Sequence, residues 1–276
     1  MVSADRLQVV EAPVRHGRYA LRALVRQFDN PIHASGNRNE LFCNSNEPMG
    51  SEYFYRWSTM FDASFPSHPS WNVFTQWHQS ALCCGSPPVA FYVQGERIYL
   101  GIMDQPVWSV PLNRGVWNDF IFHVRWSDNP GIGFIELYYN GELVIPKRYT
   151  ATNMPGQLNY LKQGLYRDEA IAPDGIVYHD AMVQTTSLAD VLPPPSPADA
   201  GTPPGGQTTS DAGNLATPGN GTATSALPNG TQLATGGCSA ASGLIPALVL
   251  LFAPMLLVIR LRSAQRARAR VRSRYW

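Results

Sequence analysis

Apolar and polar side chains alternate one for one in short runs along the first two thirds of the chain. Residues 19–25, 53–57, 73–78, 89–93, 97–102, 119–126 and 133–139 all read with a period of two. That is the repeat of a strand, whose successive side chains point to opposite faces of a sheet. A further strand is expected at Leu7-Gln8-Val9-Val10. The run ending at Tyr139 meets Asn140-Gly141 and resumes in Leu143-Val144-Ile145. Both turn residues accept the positive φ of a type I′ hairpin. The body has no sustained stretch with the 3.6 period of an amphipathic helix. Turn residues recur roughly every 8–12 positions, so the pattern predicts an all-β fold, a two-sheet antiparallel sandwich of the jelly-roll kind.

Composition agrees. Lysine occurs only twice, whereas Gly and Pro each number 23 and aromatics reach 11%, the reverse of a charged helical bundle. Residues 193–237 contain no aromatic side chain and consist largely of Pro, Gly, Thr, Ala, Asn and Ser. Such a stretch buries too little apolar surface to offset its ordering entropy. It reads as a disordered linker spanning roughly 35–40 Å as a coil, which makes 1–192 the folded domain.

Charge divides the chain further. Residues 1–259 hold 14 basic and 20 acidic side chains, a formal charge of −6, and residues 260–276 hold seven arginines and no acid. Between linker and arginines, residues 240–259 carry no charge. As a helix they extend about 30 Å, the thickness of a bilayer core, and Pro246 and Pro254 are tolerated in such a helix. The region 238–276 is therefore expected to hold one transmembrane helix at about 240–259, with the Arg-rich end 260–276 in the cytoplasm and the acidic body outside, at the cell surface or envelope. A soluble helix with a basic tail for nucleic acid fits less well, because a low-complexity linker precedes it; no nucleic-acid partner is expected. An exported body calls for a signal peptide, yet no apolar run follows Met1. The expectation is that the chain starts downstream of its true beginning. In an oxidising exterior Cys43 can pair with Cys83 or Cys84, and a strained Cys83–Cys84 bridge is also open; one thiol is left over.

Three polar clusters sit on strand-like sequence: Asn37-Arg38-Asn39-Glu40-Leu41, Gln76-Trp77-His78, and the run from Asn159 through Tyr160, Lys162, Gly164 and Tyr166 to Asp168. By alternation Arg38 and Glu40 point together, as do Gln76 and His78. Tyr160, Lys162, Gly164, Tyr166 and Asp168 share a face, with Leu161 and Leu165 toward the core. Singly each has an ordinary reading, such as a cross-strand ion pair for Arg38 and Glu40. Together they suit a groove for a polar polymer.

These blocks resemble the signature blocks of jelly-roll polysaccharide lyases, the group of alginate lyases, glucuronan lyases and heparin lyase I. That group carries Arg-x-Glu-Leu, Gln-x-His and Tyr-x-Lys-x-Gly-x-Tyr in this order, and the similarity covers most of residues 7–187. Phe42 stands where alginate lyases usually have Arg, and Trp77 where they usually have an aliphatic residue, which points toward the glucuronan lyase or heparin lyase I side. The resemblance implies a concanavalin-like β-jelly roll that cleaves a uronic-acid polysaccharide by β-elimination and leaves unsaturated uronate ends.

It also implies roles. Arg38 and Gln76 would neutralise the substrate carboxylate, which makes the C5 proton acidic. His78 would be the base. Tyr166 would protonate the leaving oxygen, or act as both base and acid with the positive charge of Lys162 or Arg38 favouring its phenolate. Glu40, Lys162, Tyr160, Trp77 and Arg167 would bind substrate. No cofactor is required. Asp128, Asn129 and Asp174 leave structural calcium open. His123 reads as a satisfied sheet histidine and His179 as a structural hydrogen-bonder. Sulfate-binding basic clusters are sparse in a body of charge −6, so an unsulfated glucuronan-like polymer is favoured over heparin, heparan sulfate or alginate. The protein is expected to be a monomer. The alternative function is a lectin-like surface protein that binds polysaccharide without cutting it. The tail resembles C-terminal sorting signals of Gram-negative bacteria, the myxobacterial type in particular, in which Gly237-Cys238 would precede the helix and the arginines; cleavage near Cys238 would be part of that resemblance.

Overall fold

The alternating runs become strands that close into two stacked sheets. The computed structural model describes residues 4–80, 85–192 and 238–240, all within one compact unit, Met1–Gly243. Its strands are β1 (Leu7–Val10), β2 (Ala20–Val25), β3 (Asn37–Glu47), β4 (Glu52–Phe61), β5 (Trp71–Gln79), β6 (Val89–Gln94) and β7 (Arg97–Ile102), followed by β8 (Gln105–Pro111), β9 (Trp117–Arg125), β10 (Phe134–Tyr139), β11 (Glu142–Tyr149), β12 (Asn159–Arg167), β13 (Gly175–Thr185) and β14 (Cys238–Ala240). One sheet runs β1-β2-β13-β4-β9-β10-β11 and the other β14-β3-β12-β5-β6-β7-β8. Every pairing is antiparallel. The predicted all-β antiparallel sandwich is observed, including the Asn140-Gly141 turn, where φ is 50° and 85° and Tyr139 pairs with Glu142.

The aromatic content is spent between the sheets. Trp57, Trp77, Phe91, Phe120, Phe122 and Trp126 are fully buried in one cluster. Trp57 meets Phe91 edge-on at 4.9 Å and stacks on Phe120 at 5.0 Å, contacts that add to the large area these rings bury.

Two irregularities shape the outer face of the second sheet. Strand β12 pairs with β3 in unbroken register from Leu161 to Arg167. Against β5 it slips by one residue between Gln163 and Tyr166, and β5 slips against β6 between Val73 and Thr75. The slip reverses which side of β5 faces inward: Phe74 and Trp77 both lie in the core, whereas Val73 and Trp71 pack with Tyr166, Tyr92 and Tyr99 in a separate cluster.

The linker and the expected membrane helix lie outside the described residues, apart from the start of the tail. There Cys238–Ala240 is a strand antiparallel to β3, with Cys238 opposite Cys43. An edge strand such as β3 offers unpaired backbone groups that a passing segment can satisfy. No helix among the described residues is long and apolar enough to cross a membrane. Cys43 is disulfide-bonded; Cys83 and Cys84 lie outside the described residues.

Candidate active site

Strands β3, β12 and β5 lie side by side and bring the three polar clusters together. Tyr166 pairs with Arg38, Gly164 with Glu40, and Lys162 with Phe42 on one side and Gln76 on the other; Tyr160 pairs with His78. The pivot is Gly164. Its φ is +152°, and a Cβ there would run into the backbone of Asn39 and Glu40, so only glycine fits. Because the position is bare, Gln76 reaches across β12. Its Nε2 donates to Glu40 Oε1 at 2.6 Å, over two strand spacings of about 5 Å each. Glu40 Oε2 in turn lies 3.8 Å from Arg38 Nη1. The bulge is held from the other sheet. Buried His179 on β13 donates its Nε2 proton to Gly164 O at 2.9 Å and accepts at Nδ1 from Thr59 Oγ1 at 3.1 Å. The carbonyl can only accept, which fixes that tautomer.

Arg38 and Tyr166 form one end of the site. The guanidinium sits 3.7 Å from the centre of the phenol ring, Nη2 donates to Ser35 O, and the Tyr166 and Ser35 hydroxyls are 2.9 Å apart. Trp71 meets the same ring edge-on at 4.5 Å. At the other end His78 donates its Nδ1 proton to Gln79 O at 2.9 Å. Among the described residues its Nε2 has no hydrogen-bond partner, so a lone pair is available. Burial, helped by the positive charge of Lys162 and then Arg38, lowers the His78 pKa to about 4. The imidazole is therefore neutral through neutral pH, as a base must be. The Tyr160 ring is 5.8 Å from His78 and 5.3 Å from Lys162 Nζ. Beside this end opens a groove of about 370 Å³ lined by Ile32, Phe42, Asn44, Asn46, Ser80, Tyr160 and Lys162. Along the strands His78 and Tyr166 are separated by about five positions, roughly 16 Å between backbones. The two side chains therefore stand at opposite ends of the polar face.

Three expected substrate contacts need correction. Trp77 is fully buried, packed against Tyr55 at 4.8 Å; it alternates with Gln76 and His78 and so points inward. Arg167 is also fully buried, with Nη1 donating to Pro173 O at 2.6 Å, and desolvation lowers its pKa to about 10. It alternates with Tyr166 and faces away from the groove. Glu40 does lie on the site face, but it is buried and bound to Gln76 and Arg38, which are themselves buried, Gln76 fully. A carboxylate there would repel an acidic sugar, whereas it holds the two donors in place. Lys162, Tyr160 and Tyr166 are half-buried on the outer face of the sheet. Asp168 accepts from Ser70 Oγ. The candidate calcium residues are used locally: Asp128 accepts from Gly156 N, Asn129 from Gly131 N, and Asp174 pairs with Arg26. Among the described residues no group of three or more His, Cys, Asp or Glu is placed to hold a metal. His123, buried, lies 2.8 Å from Glu52 and 3.1 Å from Glu136, a sheet histidine with partners. Sequence reasoning missed Ser35, which sits on an aperiodic loop, and the reach of His179 to the bulge.

Burial also lowers the pKa of His179 to about 4 from the ordinary 6.5. Both His78 and His179 bind a proton more readily in the unfolded chain than in the folded one. Their contribution to stability is complete above pH 6.5 and is lost as pH falls toward 4. The melting temperature is therefore expected to drop across that window and the slope to flatten below it. His179→Gln, which keeps a donor for Gly164 O, should shrink the drop; an unchanged slope from pH 6.5 to 4 would contradict the assignment.

A family model described as polysaccharide lyase matches residues 1–183. No curated protein matches. Among solved structures, the chain is similar to an endo-β-1,4-glucuronan lyase from the fungus Trichoderma reesei, with 18% identity over 67% of this chain and 88% of that one and a TM-score of 0.57. It is also similar to family 7 alginate lyase A1-II′ in complex with substrate (14%, 67% and 82%, 0.50) and to a GH131 β-glucanase catalytic domain from Podospora anserina (11%, 67% and 80%, 0.50). At these identities the likeness speaks for the fold, and that fold carries both eliminating and hydrolysing enzymes.

Proposed function

The chain belongs to the polysaccharide lyase family, and from that premise we propose that it cleaves a glucuronan-like polymer by β-elimination in the groove over β3, β12 and β5. The observation that carries this reading is the linked set of Arg38, Glu40 and Gln76, with Tyr166 against the Arg38 guanidinium at 3.7 Å. The substrate carboxylate docks on Arg38 and Gln76. Each positioned donor contributes about 3 kcal/mol as charge moves onto that carboxylate in the transition state. The C5 proton leaves, the C4–oxygen bond breaks, and the electron pair of the C5–hydrogen bond becomes the C4–C5 double bond.

Sugar stereochemistry then divides the work. In glucuronate the C5 hydrogen and the C4 oxygen are on the same face of the ring. Tyr166 takes the proton as phenolate and returns it to the leaving oxygen, so the phenolate is regenerated. In a C5 epimer the two groups lie on opposite faces, and His78, neutral with a free Nε2, is the base on the far side. Lys162 and Tyr160 hold the next sugar along the groove. The reaction so written needs no cofactor. The body works as a monomer at the cell surface, tethered by residues 193–237 to the membrane segment, as the sequence pattern suggests.

The test is to incubate the full chain with glucuronan, alginate, heparan sulfate and heparin and follow the ultraviolet absorbance of unsaturated uronate. Glucuronan is expected to react fastest, because the site face offers few cations for sulfate. Heparin reacting faster would overturn the substrate assignment. Binding without absorbance on every polymer would favour a lectin-like role.

A further inference from the structure

We propose that Ser35 is a positioning residue for the reaction: its hydroxyl holds the Tyr166 phenol oxygen in line and donates to it whenever the oxygen carries negative charge. The inference rests on the lyase reading above and goes beyond it to a residue outside the three blocks.

One short segment, Ser35-Gly36, touches both members of the Arg38–Tyr166 pair. The Ser35 carbonyl accepts from Arg38 Nη2, and the Ser35 hydroxyl is 2.9 Å from Tyr166 Oη. Gly36 packs so tightly that a Cβ would come within 2.7 Å of Tyr166 Cε2, 3.0 Å of Trp71 and 2.5 Å of Arg167 O. Its φ of +67° also suits glycine alone. The loop carrying this segment is pinned. Asn30 brackets Ala34, donating from Nδ2 to its carbonyl and accepting at Oδ1 from its N–H. Asp29 accepts from Arg6, from the Arg26 N–H and from Asn39, and Arg38 N donates to Asp29 O. A hydroxyl on so fixed a loop has little freedom to leave its partner.

The chemistry uses both directions of the bond. A neutral phenol can donate to Ser35 Oγ; a phenolate can only accept, and the serine proton then turns toward it. The same contact thus serves Tyr166 before and after it takes the C5 proton. A charge-assisted bond of this type is worth more than a neutral one, so Ser35 favours the phenolate form on which proton abstraction depends, and its contribution falls on catalysis and not on substrate binding.

The experiment compares the full chain with Ser35→Ala and Ser35→Thr, using glucuronan and tyrosine labelled with carbon-13 at Cζ. The Tyr166 resonance is identified by its loss in Tyr166→Phe. Ser35→Ala is expected to lower kcat about tenfold, the scale of one hydrogen bond, with KM unchanged, and to shift the Tyr166 resonance. Ser35→Thr should restore both. Loss of activity without rescue by threonine, or with a raised KM and an unmoved resonance, overturns the proposal and leaves Ser35 a loop residue. If the wild-type chain yields no unsaturated product from any polyuronate, the lyase reading falls and the assigned role with it. Activity in the wild type with full activity in Ser35→Ala overturns the Ser35 assignment alone.

Discussion

Replacing Tyr166 with phenylalanine is expected to lower kcat/KM on glucuronan about a thousandfold while leaving the melting temperature nearly unchanged. The change removes one oxygen. The ring keeps its place between the Arg38 guanidinium at 3.7 Å and the edge of Trp71 at 4.5 Å, so packing survives. The phenol is half-exposed, and its oxygen bonds to the hydroxyl of Ser35 on an exposed loop, where water can replace it. What disappears is the proton carrier, and a positioned acid–base group contributes about 10²–10⁴ in rate. On glucuronan the loss should exceed that from His78→Ala, because same-face elimination needs no group on the far side. Equal activity of Tyr166→Phe and wild type would remove Tyr166 from the mechanism. A larger loss in His78→Ala on glucuronan would give the base role to the imidazole.

Gly164→Ala is expected to be the most damaging single-methyl change, destabilising the domain by about 3 kcal/mol and lowering the melting temperature by about 10 °C. The new Cβ meets Asn39 and Glu40 backbone, which cannot swing aside as a side chain would, and a φ of +152° strains any side chain. Activity should fall further than stability explains. The bulge sets how β12 meets β5, with Lys162 beside Gln76 on one side of it and Tyr166 beside Val73 on the other, and its open position is what lets Gln76 reach Glu40. Differential scanning calorimetry with kinetics well below the transition separates the two effects. A variant as stable as wild type would show that the strand relaxes around the methyl group.

Much of this arrangement was legible along the chain because strand alternation is a strict rule over short distances. It put Arg38 with Glu40, Gln76 with His78, and Tyr160 with Lys162 and Tyr166 on one face. Read to the end, the same rule also turns Trp77 and Arg167 inward; polar chemistry and aromaticity drew them to the substrate, and the core claimed both. The slip in β12 left no trace but Gly164 itself, since a bulge is a relation between strands. The grip of His179 on Gly164 O crosses the sandwich, and a single strand's pattern holds no information about the sheet behind it. Ser35 lies where no period applies, and only the fold of residues 26–36 brings it to Tyr166.

The central claim is elimination rather than hydrolysis, on a fold that supports both. The most direct measurement is the mass and ultraviolet absorbance of oligosaccharides released from glucuronan by the full chain. Elimination predicts products whose new non-reducing end is lighter by one water than a hydrolytic end and absorbs in the ultraviolet, with both signals lost in Tyr166→Phe. Saturated products of full hydrolytic mass, with no absorbance, would contradict the account.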